Sequence, residues 1–260
     1  MLEAVSARVP AIYKLCHLAY NQPSILKLFE HRIMSAEGLQ QGDPLGGFLF
    51  CNTIHPLLRR MNSNLVEGYM DDITLGGKSN IVTEDVATIR TLGSTLGLHL
   101  NAKKCELIQR YPTTTEPVFR DFVITSKENA TLLGAPPTDG SALNETLEAR
   151  CAYLGRAIGR LSLMPAHDAL ILLKCSVSAP KSVYTVRSSP YPGHEILHEF
   201  HDLFRTGLGN ITNLSISDIQ WIQASLPVST GGLGVRRVAS LALPTFWESA
   251  TATHTLQSLL

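Results

Sequence analysis

The residues with the clearest chemical potential in this chain are Tyr69-Met70-Asp71-Asp72. Leu65 and Val66 precede the paired aspartates, and Ile73, Thr74 and Leu75 follow them. That pattern predicts a strand, a tight turn and a second strand, with two carboxylates at the tip. Adjacent like charges at a turn repel one another unless a cation sits between them. Mg²⁺ suits such a pair, because it takes hard oxygen ligands and usually keeps only one or two carboxylates beside substrate phosphates. The plain alternative is a solvated Asp-Asp turn.

Three further segments flank this one. Upstream is Ser35-Ala36-Glu37-Gly38-Leu39-Gln40-Gln41-Gly42-Asp43-Pro44-Leu45-Gly46. Downstream are Leu98-His99-Leu100-Asn101-Ala102-Lys103-Lys104-Cys105-Glu106 and Leu132-Leu133-Gly134-Ala135-Pro136. In this order and spacing, the four resemble the palm of reverse transcriptases, particularly those of non-LTR retrotransposons. The resemblance covers roughly residues 1–137 and implies RNA-directed DNA synthesis with Mg²⁺, an RNA template, a DNA primer and deoxynucleotides. It implies Asp71 as a metal ligand and Asp72 as a second ligand or an electrostatic support. Tyr69 and Met70 share that segment, Gln41 and Gly42 would lie close to template or nucleotide, and Lys104 would assist proton transfer to the leaving pyrophosphate. For Lys104 the plain alternative is a solvated surface lysine.

Two-metal nucleotidyl transfer needs carboxylates that bridge both ions. In the family resembled, one essential aspartate lies on a strand upstream of the Gln-Gly-Asp-Pro segment, yet no aspartate precedes Asp43 here. The expectation is therefore an amino-terminally truncated palm, without fingers or the first palm motif, that is inactive as an isolated chain. A non-catalytic remnant that binds nucleic acid or protein is the competing reading.

Composition narrows the classes. A chain of 260 residues with 44% hydrophobic content can bury a real core. The 22 basic and 22 acidic residues balance, which argues against a strong autonomous nucleic-acid binder, since nonspecific affinity comes from neutralising phosphates. Five widely spaced cysteines with no Cys-x-x-Cys support neither a disulfide framework nor a cysteine zinc site. No signal peptide follows Met1, and no apolar run approaches the ~18 residues of a membrane span. These features fit an intracellular protein with no membrane partner.

The elements that must position the site follow from periodicity. Leu2, Val5, Val9, Ile12, Leu15 and Leu18 predict a helix interrupted near Pro10. Phe29–Met34 reads as a strand. Asp43 and Pro44 predict a helix start, with the carboxylate as N-cap rather than metal ligand. That helix would turn Leu45, Phe48, Leu49, Ile54, Leu57, Leu58 and Met61 inward and kink at Pro56. Val82, Val86, Ile89, Leu92 and Leu96 mark another helix, stopped by Gly97. Leu98 and Leu100 begin a strand, and another is expected within Val118–Thr125.

The turn-rich stretch Gly134–Gly140 is the expected boundary. The fold class expected is α/β (α+β): a polymerase palm over 1–137, then a mainly α-helical, thumb-like or connection region over 138–260. In that second part, Leu143, Leu147, Cys151, Leu154, Ile158 and Leu161 predict one helix. A second runs from Pro165 through Leu173 and ends at Pro180, and a third covers Ile196–Ile211. A shorter one is capped at Ser217 or Asp218 and carries Trp221.

His194-Glu195-Ile196-Leu197-His198 matches the H-E-x-x-H pattern of zinc hydrolases, with His201 one turn further on. Phe200, Leu203 and Phe204 explain the same stretch as an amphipathic helix with His, Glu and Asp solvated. Surface histidines without structural zinc are the expectation.

Overall fold

The computed structural model describes residues 1–40, 42–109, 116–177, 179–189 and 195–257. The chain divides into two compact units, Met1–Cys105 with Thr115–Asp121, and Glu106–Thr114 with Phe122–Leu260. Among the described residues, helices and three two-stranded sheets alternate through them, an α+β composition.

In the first unit, α1 (Leu2–Arg8), a 3-10 turn (Pro10–Ile12) and α2 (Tyr13–Tyr20) form the expected interrupted helix. Pro10 sits at the first position of the 3-10 turn, where its missing N–H costs nothing. β1 (Ser24–Leu28) and β2 (His31–Ser35) form an antiparallel hairpin. Only β2 was legible in the sequence. α3 (Gly46–Leu58) starts two residues later than the Asp43-Pro44 pair suggests. It buries Leu49, Ile54 and Leu57 as expected, but Phe48 is 44% exposed, contrary to the expectation. Pro56 falls in the last turn, and the helix ends two residues later. Val5, Cys16 and Leu49 are fully buried where α1, α2 and α3 meet.

The hairpin β3 (Leu65–Tyr69) and β4 (Asp72–Gly76) precedes α4 (Ser79–Thr95). α4 ends as its sequence dictates. Gly97 takes φ +75°, its N–H donates to the Ser94 carbonyl, and Leu98 N–H donates to the Gly93 carbonyl. These are the paired bonds of a Schellman stop, which only a residue tolerant of positive φ accepts without strain. Leu98–Leu100 is irregular rather than a strand, because that stop directs the chain into a 3-10 turn at Ala102–Lys104.

In the second unit, β5 (Glu106–Ile108) and β6 (Val123–Thr125) pair in parallel. α5 (Ser141–Leu161) buries Leu143, Leu147, Cys151, Leu154, Ile158 and Leu161, the six positions that its 3.6-residue periodicity marks. α6 (Ala166–Leu172) opens at Pro165 and passes into a π-helical stretch, Leu173–Val177. Pro180 does not stand at the end of a helix. It lies in the first turn of α7 (Ala179–Ser188), where proline is tolerated. α8 (Ile196–Thr212) lies against α5. A Cβ on Gly207 would fall 2.6 Å from Ile158 Cδ1, so the absent side chain sets that close approach. α9 (Asp218–Ser225) carries a complete capping box between Ser217 and Gln220. α10 (Val238–Gln257), unforeseen in the sequence, packs on α7. Among the described residues no helix is long and apolar enough to cross a membrane.

Candidate metal-binding hairpin

β3 and β4 pair in the register Leu65↔Gly76 through Tyr69↔Asp72, leaving Met70 and Asp71 as a two-residue turn. The aspartates thus occupy adjoining but different positions, Asp71 in the turn and Asp72 as the first residue of β4. Both are exposed. Side chains alternate across a sheet, so Val66, Gly68, Ile73 and Leu75 share one face, while Glu67, Tyr69, Asp72 and Thr74 share the other. A Cβ on Gly68 would lie 2.7 Å from Leu58 Cδ1. The Gly68 face is therefore the one turned to α3, and the Tyr69–Asp72 face looks away from it. Tyr69 is 63% exposed accordingly.

Met70 fixes the turn against the start of α3. A Cβ on Gly47 would fall 2.6 Å from Met70 Cε, so the thioether end rests on the first helical turn. Met70 itself has φ +55°, a conformation that costs an L residue on the order of 1–2 kcal/mol. The strain is local to the residue that presents Asp71.

Among the described residues, neither carboxylate has a hydrogen-bond or ion-pair partner, and no group of three His, Cys, Asp or Glu side chains converges. The donor set at the tip is two free carboxylates. It fits a hard divalent cation in kind, and matches the one or two protein carboxylates that Mg²⁺ keeps beside phosphate oxygens.

The other residues singled out from the sequence are placed as follows. Gln41 lies outside the described residues. Gly42 has φ +90° and open space around its α-carbon. Lys104 is exposed at the end of its 3-10 turn, and among the described residues no ion pair joins it to the aspartates. Leu133 (φ +50°) and Gly134 (φ +76°) form a two-residue turn closed by reciprocal bonds between Leu132 and Ala135.

Asp43 is not the N-cap of α3; Leu45 holds that position. The Asp43 carboxylate instead accepts the Leu45 N–H at 2.8 Å and the Tyr20 hydroxyl of α2. The Tyr20 bond, then the Leu45 bond, hold its pKa below the ordinary carboxylate range. Burial, then the bond to Asp43, push the Tyr20 phenol up.

One residue that matters to the hairpin escaped the sequence reading. Asp85 of α4 is 2% exposed. Its carboxylate accepts the Ser63 N–H at 2.7 Å, the Ser63 hydroxyl at 2.6 Å and the Asn62 N–H at 3.0 Å. It therefore anchors the loop that enters β3. The available signal was a carboxylate placed next to Val86 and four residues before Ile89, on the apolar face of a helix.

The H-E-x-x-H segment forms no metal centre among the described residues. His194 lies outside them, and His198 is exposed. His201 is not the surface side chain expected. It is half-buried, and its Nε2 accepts the Trp221 indole N–H at 2.8 Å with the rings edge to face. Burial holds its pKa below the ordinary histidine value.

Comparison with known proteins adds to this geometry. The family model for reverse transcriptase (RNA-dependent DNA polymerase) matches residues 4–155. The retrotransposable element SLACS 132 kDa protein of Trypanosoma brucei gambiense is 24% identical over 218 residues. The match covers 82% of this chain and 18% of that relative, so the chain spans under a fifth of the relative's length. No solved structure matches.

Proposed function

The chain belongs to the reverse transcriptase (RNA-dependent DNA polymerase) family, and from that premise we propose that its β3–β4 hairpin is the metal-binding element of a retroelement polymerase. The observation that carries the proposal is the pair of unengaged carboxylates at a two-residue turn seated on the start of α3. Asp71 is the ligand, and Asp72 is a second ligand or an electrostatic support. A bound Mg²⁺ supplies positive charge that offsets the phosphates of an incoming deoxynucleotide. Around it, Met70 holds the turn against Gly47. Gly42 offers backbone that template or nucleotide can approach without a Cβ in the way. Lys104 serves the leaving pyrophosphate as a proton donor or counter-charge. Residues 1–137 then act as palm and 138–260 as a thumb-like region, with RNA template and DNA primer as partners. The zinc-hydrolase alternative gains no support.

Mn²⁺ titration followed by electron paramagnetic resonance tests the site. The 260-residue chain should bind one ion weakly, and Asp71→Ala should weaken it at least ten-fold with the circular dichroism unchanged. Binding that persists in an Asp71→Ala/Asp72→Ala variant overturns the proposal. Primer extension by the isolated chain should be undetectable, because bridging two ions takes a further carboxylate. Template-dependent incorporation that survives Asp71→Ala would move the chemistry elsewhere.

A further inference from the structure

A groove of about 270 Å³ opens on the helical unit. Its floor is aliphatic: Ala157 and Leu161 of α5, Leu172 at the end of α6 and Val177 of the π-helical stretch. Its rim carries Tyr153, Arg156 and Arg160. The two arginines stand four positions apart, one turn of the same helix, and both are exposed. Like charges at that spacing repel and weaken the helix that carries them. Among the described residues neither forms an ion pair. A third cation, Lys181, stands 5.7 Å over the Tyr153 ring. From Leu161 the chain continues to Leu163 and Met164, which are 88% and 41% exposed.

From this arrangement we infer that the groove docks an acidic amphipathic helix of a partner protein. An aliphatic side chain of the partner enters the floor, and carboxylates one turn apart face Arg156 and Arg160. The floor decides between anionic occupants. A nucleobase stacks on an aromatic ring or a guanidinium plane, or pairs through its polar edges. Ala, Leu and Val offer neither, and Lys181 already stands over the one ring on the rim. A bare phosphate backbone would use the guanidiniums and leave the apolar floor uncovered. A helix with apolar residues at i, i+3 and i+7 flanked by Glu or Asp satisfies both parts at once. Guanidinium also pairs with carboxylate in a two-pronged geometry that an ammonium does not reproduce.

Fluorescence anisotropy on the full chain tests this with defined probes. The first is a fluorescein-labelled synthetic helix carrying leucines at i, i+3 and i+7 flanked by glutamates. One control replaces its glutamates by glutamine, and the other its leucines by serine. The first probe should bind, and both controls should bind at least ten-fold more weakly. Arg156→Gln/Arg160→Gln and, separately, Leu172→Gln should each weaken the first probe at least ten-fold while the helical circular dichroism stays unchanged. Equal binding of either control overturns the inference. So does a result in which the arginine substitutions release a labelled single-stranded RNA or RNA–DNA duplex but leave the peptide bound. Arginine-dependent self-association in sedimentation, with no peptide binding, would assign the groove to a second copy and equally overturn it. None of these readouts depends on the metal site, so its failure and that of the polymerase reading remain separable.

Discussion

Replacing Asp85 by alanine should loosen the hairpin that carries the aspartates. The carboxylate is 2% exposed and receives both donors of Ser63, itself 8% exposed, besides the Asn62 N–H. Asn62 is exposed, so water can replace its lost bond. The two Ser63 donors have no such recourse, and a buried donor left unmatched costs roughly 1–3 kcal/mol. Removing a desolvated charge offsets part of that sum. Asp85→Ala should therefore lose about 2–4 kcal/mol, and Asp85→Asn, which keeps one acceptor, about 1–2 kcal/mol. Urea unfolding followed by circular dichroism should show a lower midpoint at constant slope. A cycle with Ser63→Ala should give a coupling of roughly 0.5–3 kcal/mol. The reasoning fails if Asp85→Ala stays within ~0.5 kcal/mol of the parent, the ordinary range for a surface substitution.

Two further outcomes concern protons. The depressed Asp43 pKa means that its contribution to stability is present above the unfolded carboxylate value and lost as pH falls through the folded one. The raised Tyr20 pKa means that the phenol's contribution is present below its unfolded value and lost as pH rises through the folded one. Tyr20→Phe should move the Asp43 pKa up in a carbon-13 titration; an unchanged value would refute the pairing. His201, depressed mainly by burial, contributes stability above the unfolded histidine value that is lost as pH falls through the folded one. Its Nε2 is committed to Trp221, so elemental analysis should find no stoichiometric zinc, and His198→Ala should change neither metal content nor melting.

The parts of this fold that were legible in the sequence are those whose side chains repeat with the backbone. α5 declared itself because its six buried positions step by three and four. The β3–β4 hairpin did so because apolar runs flank a two-residue turn. β1 was not legible, since Ile25, Leu26 and Leu28 are all exposed and offer no alternation to read. α10 was obscured by Pro244 and by its run of Ala, Thr and Ser, which blurs an apolar face. Around the hairpin, the hidden residues act over distance in the chain. Asp85 meets Ser63 across 22 positions, and Tyr20 meets Asp43 across 23. A local pattern carries no information about such partners.

The β1–β2 hairpin has a colloidal consequence. It is a two-stranded sheet, so the outer edges of both strands present unpaired N–H and C=O groups, the template that foreign strands recruit. Ile25↔Met34 and Leu26↔Ile33 leave apolar side chains exposed on both faces, and Phe29 at the tip is 95% exposed. One pair back from the tip of this ladder Lys27 stands directly opposite Arg32. Two like charges there weaken the hairpin itself, yet they also make a second copy stacking in register meet its own charge. That gatekeeping is electrostatic, with a reach of about 8 Å at physiological ionic strength and about 3 Å in 1 M salt. Concentrated salt should therefore weaken the brake that these two cations place on strand addition at this hairpin.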